Sequence, residues 1–205
     1  MKIFILEEES LNSAGLPYTC ITQRLKNGGD LFNYREIYEQ FVDEKDFQSK
    51  LFKIVAHMLK SNHDNINLLI ISAHGIGNTG TNLWTSNNSI NLRNYQEYFR
   101  VLPKHMVVYM RSCESAFPGT FWAFYEKSDN KPLLVGPIVP IGASDANVLE
   151  EIIIETIRDS SDNENILHDK IIAHNSLLQN KYGKQYSIGM FFRSGIWYPE
   201  VGILY

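Results

Sequence analysis

The stretch LLIISAHGIGNTG, residues 68–80, is an apolar run that ends in Ser-Ala-His-Gly and opens onto a glycine-rich loop. A short apolar run bounded by turn residues reads as a buried strand, the kind found inside a parallel sheet. Two explanations compete for the His-Gly ending and its loop. Gly75, Gly77 and Gly80 spell the G-x-G-x-x-G spacing of a dinucleotide-binding loop. Alternatively, His74 is a catalytic base waiting for a nucleophile from elsewhere in the chain. The first explanation requires a helix to open directly after the glycines, so that a phosphate can sit on its N-terminus. The continuation, TNLWTSNNSINL, is poor in helix formers. Glu97, the nearest acidic candidate for a ribose, lies inside a segment of helical pattern. The glycines are therefore read as giving close backbone access and mobility near a site.

A second apolar run, HMVVYMRSC at residues 105–113, ends in Cys113. In a parallel sheet, sites form beyond the carboxyl ends of the strands. If the two runs are neighbouring strands, about 4.8 Å apart, His74 and Cys113 emerge from one edge and can meet across a substrate carbonyl.

Around these runs, residues 2–6 read as a first strand. Apolar spacing from Asp46 to Lys60 (Phe47, Leu51, Ile54, Val55, Met58, Leu59) predicts a helix with His57 on its solvated face. Asp43 or Asp46 is its expected cap. LWTS and SINL read as short strands around Asn87-Asn88, residues 92–100 as a short helix, and 118–126 as a helix with proline in its first turn. Residues 132–141 form a third apolar run, irregular at its end because of Pro137 and Pro140. Residues 144–157 read as a helix capped by Ser144 or Asp145, residues 164–181 as another helix, and 186–198 as a final strand or hairpin. Strands alternating with helices predict an α/β fold with a mostly parallel sheet.

The 205 residues suit a single domain with a core that needs no disulfide or metal. A net charge of −4 with no basic block argues against nucleic acid as the main partner. The two cysteines, Cys20 and Cys113, form no disulfide framework and fit a reducing, cytoplasmic setting. No Cys or His spacing suggests a metal site, and no cofactor is expected. No run approaches the roughly 20 apolar residues of a membrane span.

A strand ending in His-Gly (ISAHG), followed by a strand ending in Ser-Cys-x-Ser (RSCESA), resembles the caspase-like, clan CD cysteine peptidases, and most of all their bacterial CHAT and separase-like branch. The likeness continues through FWAFYEKSDNKPLLVGPIVPIGASDANVLEEII and covers about residues 66–157. The caspase pentapeptide Gln-Ala-Cys-Arg-Gly is absent. The resemblance implies a caspase-like three-layer sandwich, with a mostly parallel central sheet flanked by helices. It implies His74 and Cys113 as the catalytic pair, the backbone N–H groups of Gly75 and Cys113 as the oxyanion hole, and protein as substrate. It also implies that Asp145, with Ser144 beside it, lines the pocket for the residue before the cut and favours Lys or Arg. A plain helix cap is the competing reading of both. CHAT-type proteases are often coupled to sensor modules in bacterial immunity, and this chain shows none. A regulatory or sensor partner encoded separately is therefore expected, and the aromatic stretch 31–42 is either its docking surface or core.

The residue types suit the chemistry. A cysteine at a strand-to-helix turn sits near helix N–H groups that favour thiolate. Arg111 lies two residues before Cys113, where it lowers the thiol pKa, reads a substrate acid, or makes an ion pair at the sheet end; the last is favoured. Glu114 reads as a first-turn helix charge, and Cys20 as a small buried residue. Two other readings stand beside the peptidase: a catalytically silent caspase-like interaction module, and a cysteine enzyme that uses His168 or His174 as its base.

Overall fold

The computed structural model describes residues 1–9, 35–60, 66–75, 82–85, 88–103, 105–113, 115, 118–125, 132–137, 143–159, 188–192, 195–198 and 202–204. It also describes residues 166, 169, 170, 172, 173, 176 and 180. For residues 35, 36, 118, 121, 122, 125, 143–145, 188–192, 195–198 and 202–204 it describes the backbone alone.

The strands are β1 (Ile3–Glu8), β2 (Arg35–Phe41), β3 (Asn67–Ser72), β4 (His74–Gly75), β5 (Asn82–Trp84), β6 (Ser89–Asn91), β7 (Met106–Arg111), β8 (Leu133–Pro137), β9 (Ile188–Phe192), β10 (Gly195–Tyr198) and β11 (Gly202–Leu204). The helices are α1 (Glu44–Lys60), α2 (Gln96–Arg100, continuing a 3-10 turn at Leu92–Tyr95), α3 (Pro118–Tyr125) and α4 (Ala143–Asp159). Eight strands form one sheet in the order β11-β10-β9-β8-β7-β3-β1-β2. The strands from β8 to β2 run parallel, while β9, β10 and β11 add antiparallel.

The apolar runs explain the layers. Alternate residues of a strand face opposite sides of the sheet. Phe4, Leu6, Leu69, Ile71, Val108 and Met110 pack on one side with Phe47, Leu51 and Ile54 of α1 and Phe124 of α3. Ile3, Ile5, Leu68, Ile70, Val107 and Tyr109 pack on the other with Leu149, Ile153 and Ile157 of α4. Helices on both faces make three layers, as the sequence predicts.

Several boundaries differ from the expected ones. The first strand does not stop at Leu6 but runs through Glu7 and Glu8, which are 1% and 0% exposed. Glu7 accepts a 2.9 Å hydrogen bond from the Tyr38 hydroxyl of β2. The 31–42 stretch therefore contains a strand, and its Phe41 is core. Helix α1 begins at Glu44, capped by Asp43, whose Oδ1 accepts from the Asp46 amide at 2.8 Å. Asp43→Ala should lower stability by about 1 kcal/mol, read by urea denaturation. An unchanged midpoint would mean that solvent satisfies the helix end equally well.

Leu59, expected in the core, is 61% exposed, and His57 is not solvated but half-buried, with its ring edge-on to Phe4 at 6.2 Å. Within the 186–198 segment, β9 and β10 pair antiparallel. Within the run at 132–141 a strand is described over Leu133–Pro137, and residues 138–141 lie outside the described residues. Pro140, Cys20, Glu114, His168 and His174 lie outside the described residues, as does most of 164–181. Among the described residues, no helix is long and apolar enough to cross a membrane.

Candidate active site

Strands β3 and β7 are neighbours in register from Asn67↔Met106 to Ser72↔Arg111, so their carboxyl ends are flush. One further bond, from the Ala73 amide to the Arg111 carbonyl at 3.3 Å, carries the pairing just past Ser72. There the two strands part. His74 and Gly75 leave the large sheet and start a separate antiparallel sheet, β4-β5-β6. The segment after β7 turns through Ser112 to Cys113, a half-buried thiol.

The two turns meet at Gly75. A Cβ on Gly75 would lie 2.0 Å from the Cys113 carbonyl oxygen, 2.9 Å from its carbon and 3.0 Å from its nitrogen. Backbone atoms cannot yield to such an approach, so glycine is required here. Of the glycines in the loop, Gly75 provides the close backbone access expected from the sequence. The loop's described continuation is strand β5, so among the described residues no helix N-terminus opens there to receive a phosphate. His74 is exposed beside this contact.

The Cys113 turn is held from below. Ser115, 2% exposed, donates its hydroxyl to the Met110 carbonyl at 2.8 Å. Gly136 of β8 makes room for that hydroxyl, since a Cβ there would lie 2.3 Å from Ser115 Oγ. The second serine of Ser-Cys-x-Ser is therefore a brace for the turn. The sequence carried the motif but not this role, because Gly136 lies in the next strand.

Helix α3 is described from Pro118, and Cys113 lies in a turn ahead of it, so among the described residues no helix N-terminus adjoins the thiol.

Arg111 is 7% exposed. Its Nη1 donates to Ser72 Oγ at 3.1 Å and its Nη2 to Asn147 Oδ1 at 2.9 Å. Its Nε lies 3.7 Å from Glu150 Oε2, in a pair whose side chains are 6% and 0% exposed. The guanidinium joins β3, β7 and α4, the ion pair at the sheet end that the sequence favoured. Tyr109, one pleat earlier, donates to the Ala146 carbonyl at 3.4 Å. Burial, and then the Glu150 charge, hold its hydroxyl protonated far above the usual tyrosine range. Ser144 and Asp145 lie in the first turn of α4, which starts at Ala143, so neither is its cap. Their side chains are outside the description, but their helix is tied through Ala146, Asn147 and Glu150 to the strand that leads into Cys113.

The chain is similar to the crystal structure of a secreted C11 cysteine protease from Bacteroides thetaiotaomicron in complex with an irreversible peptide inhibitor. The TM-score is 0.54 at 11% sequence identity, over 95% of this chain and 67% of that one. The fold is caspase-like. No family model matches the sequence, and no curated protein does.

Within this caspase-like fold, the structure brings His74, Gly75 and Cys113 to one edge, with Arg111 buried beneath them. Sequence reasoning passed over Trp84, which pairs directly with His74 across β4 and β5 and is 53% exposed. Its signal was the strand pattern of LWTS, which puts Leu83 and Trp84 on opposite faces.

Proposed function

We propose that the chain is a cysteine endopeptidase of the caspase-like type, and read its 205 residues as one peptidase domain. The observation that supports this best is the seating of Gly75 on the Cys113 backbone at the flush ends of β3 and β7. It supports a pairing of the strand end that carries His74 with the turn that carries Cys113.

In this reading the Cys113 thiolate attacks the scissile carbonyl and a C–S bond forms. The carbonyl oxygen takes up negative charge, to which the Gly75 and Cys113 amides donate; such a donor is worth about 3 kcal/mol. The tetrahedral intermediate collapses, the C–N bond breaks, and His74 gives its proton to the leaving amine. Water, deprotonated by His74, then cleaves the thioester and releases the acid and the thiol.

Asp145 and Ser144, in the first turn of the helix tied to β7, are the candidates for reading the residue before the cut, with Lys or Arg as the expected preference. Arg111, spent on Ser72, Asn147 and Glu150, supports the site more readily than it contacts substrate. We further read the protein as cytoplasmic, related to the CHAT or separase-like branch, and controlled by a separately encoded partner in bacterial defence or regulated proteolysis.

The test is intact-protein mass spectrometry after electrophilic peptide probes carrying Arg, Lys, Leu or Asp at the cut position, with and without the products of neighbouring genes. Labelling should vanish in Cys113→Ala, persist in Cys20→Ala and slow by about 100-fold in His74→Ala. Labelling that survives Cys113→Ala would sink the assignment. Loss in His174→Ala but not in His74→Ala would move the base to the distal helix. No labelling under any condition would leave a caspase-like interaction module.

A further inference from the structure

The β4–β5 pair has two sides. Gly75 and Leu83 are partners on the inner side, where Gly75 meets Cys113 and Leu83 is 1% exposed in the core. His74 and Trp84 are partners on the outer side, and both are exposed. Directly opposed residues of an antiparallel pair hold their Cβ atoms about 4.5–5.5 Å apart. The next strand continues the row with Ser89, the exposed partner of Trp84. Trp84 is thus the large apolar group on the outer face of this small sheet, placed against the histidine.

Its backbone is held firmly. Thr85, the next residue, is 0% exposed and closes a turn with Asn88. The Thr85 amide and hydroxyl both donate to the Asn88 carbonyl at 2.9 Å, and the Asn88 amide donates to Thr85 Oγ1 at 3.0 Å. Leu83 and Ile90 anchor the two strands in the core. An indole left exposed on so fixed a support is pre-organised to bind, because little ordering entropy remains to be lost there. A tryptophan combines a large apolar face with an N–H edge, which suits it to a contact that is apolar at one end and wet at the other.

We infer that Trp84 is a specificity-determining residue of the peptidase site, forming an apolar wall for a substrate side chain on the leaving-group side of the scissile bond. The inference rests on the peptidase reading. The side follows from chemistry: His74 must reach the departing nitrogen, so the residues next to His74 meet the peptide beyond the cut. An extended peptide advances about 3.3 Å per residue. A ring one cross-strand spacing from His74 therefore reaches the first or second side chain after the bond. The class that fits is a peptide with Phe, Tyr, Trp or Leu there.

The experiment digests a mixture of decapeptides of varied sequence with the wild-type protein, Trp84→Ala, Trp84→Phe and Cys113→Ala, and reads the cut sites by mass spectrometry. Wild type should favour aromatic and leucine residues at the first two positions after the cut. Trp84→Ala should lose that preference at least tenfold, with the pattern before the cut unchanged, and Trp84→Phe should keep most of it. A peptide electrophile that carries nothing beyond the cut position should label Cys113 at equal rates in wild type and Trp84→Ala. An unchanged pattern, a uniform loss of rate, or a change confined to positions before the cut would overturn the role of Trp84. Wild-type cleavage no different from Cys113→Ala, both alone and with the products of the neighbouring genes added, would overturn the peptidase reading itself.

Discussion

Gly75→Ala should lower kcat/KM by about 1,000-fold while leaving the folded sheet in place. The added methyl carbon would stand 2.0 Å from the Cys113 carbonyl oxygen, and the next nearest atoms are also Cys113 backbone. No rotamer change relieves such a contact, so β4 must lift away or the Cys113 turn must shift. In the peptidase reading, either movement separates the Gly75 and Cys113 amides from the position of the developing oxyanion. Loss of one such donor lowers rates by about 100- to 1,000-fold, and a misplacement of about 1 Å costs on the order of 100-fold by itself. The core clusters on both faces of the large sheet do not include Gly75, so the melting temperature should fall by only a few degrees. Gly136→Ala is the informative contrast. Its Cβ would meet the Ser115 hydroxyl, a group that can turn aside by giving up its bond to Met110. Its effect on kcat/KM should therefore be smaller, and the order of the two variants is the measurement. Wild-type rates in Gly75→Ala would remove Gly75 from the reaction.

The residues that make this prediction possible were partly legible in the sequence. Continuous apolar runs at 68–71 and 106–110 announced strands covered on both faces, and parallel strands with helices between them put His74 and Cys113 at one edge. The physics there is local: burial on both faces favours apolar residues along the middle of the strand. Strand β2 was harder, because REIYEQF mixes charge with aromatics. Its place at the sheet edge tolerates that mixture, with Glu39 bridging to Lys50 and Lys53 of α1 and Tyr38 bonding to Glu7. Burial acts against the Glu39 charge, but the two lysines outweigh it and hold its carboxyl below the usual range. Glu7 and Glu8 broke the hydrophobic pattern of β1, and a partner 31 positions away, Tyr38, helps to hold Glu7 inside. The brace of Ser115 against Gly136, and the pairing of His74 with Trp84, depend on register between separate segments. No single-segment pattern contains that information.

Arg111→Met should destabilise the protein by about 3–5 kcal/mol, the largest stability effect expected at the site. The guanidinium and the Glu150 carboxylate face each other with 6% and 0% of their side chains exposed. Replacing one partner of a buried pair leaves the other charge in a medium that solvates it poorly, whereas replacing both can be nearly neutral. Arg111→Met/Glu150→Met should therefore be more stable than Arg111→Met alone, by at least about 1 kcal/mol of coupling in denaturant titrations. The pH dependence carries a sign. A buried carboxylate deprived of its cation binds a proton more tightly folded than unfolded, so the Arg111→Met deficit should shrink as pH falls from about 7 toward about 5. The wild-type pair should show no such gain. The same variant bears on catalysis through position, since Arg111 joins the strand leading into Cys113 to Asn147 and Glu150 of α4, the helix that carries Asp145 in its first turn. If Arg111 acts only by holding that helix, KM for probes with Lys or Arg at the cut position should rise more than kcat falls. If it contacts an acidic substrate side chain instead, discrimination against Asp probes should appear in the variant.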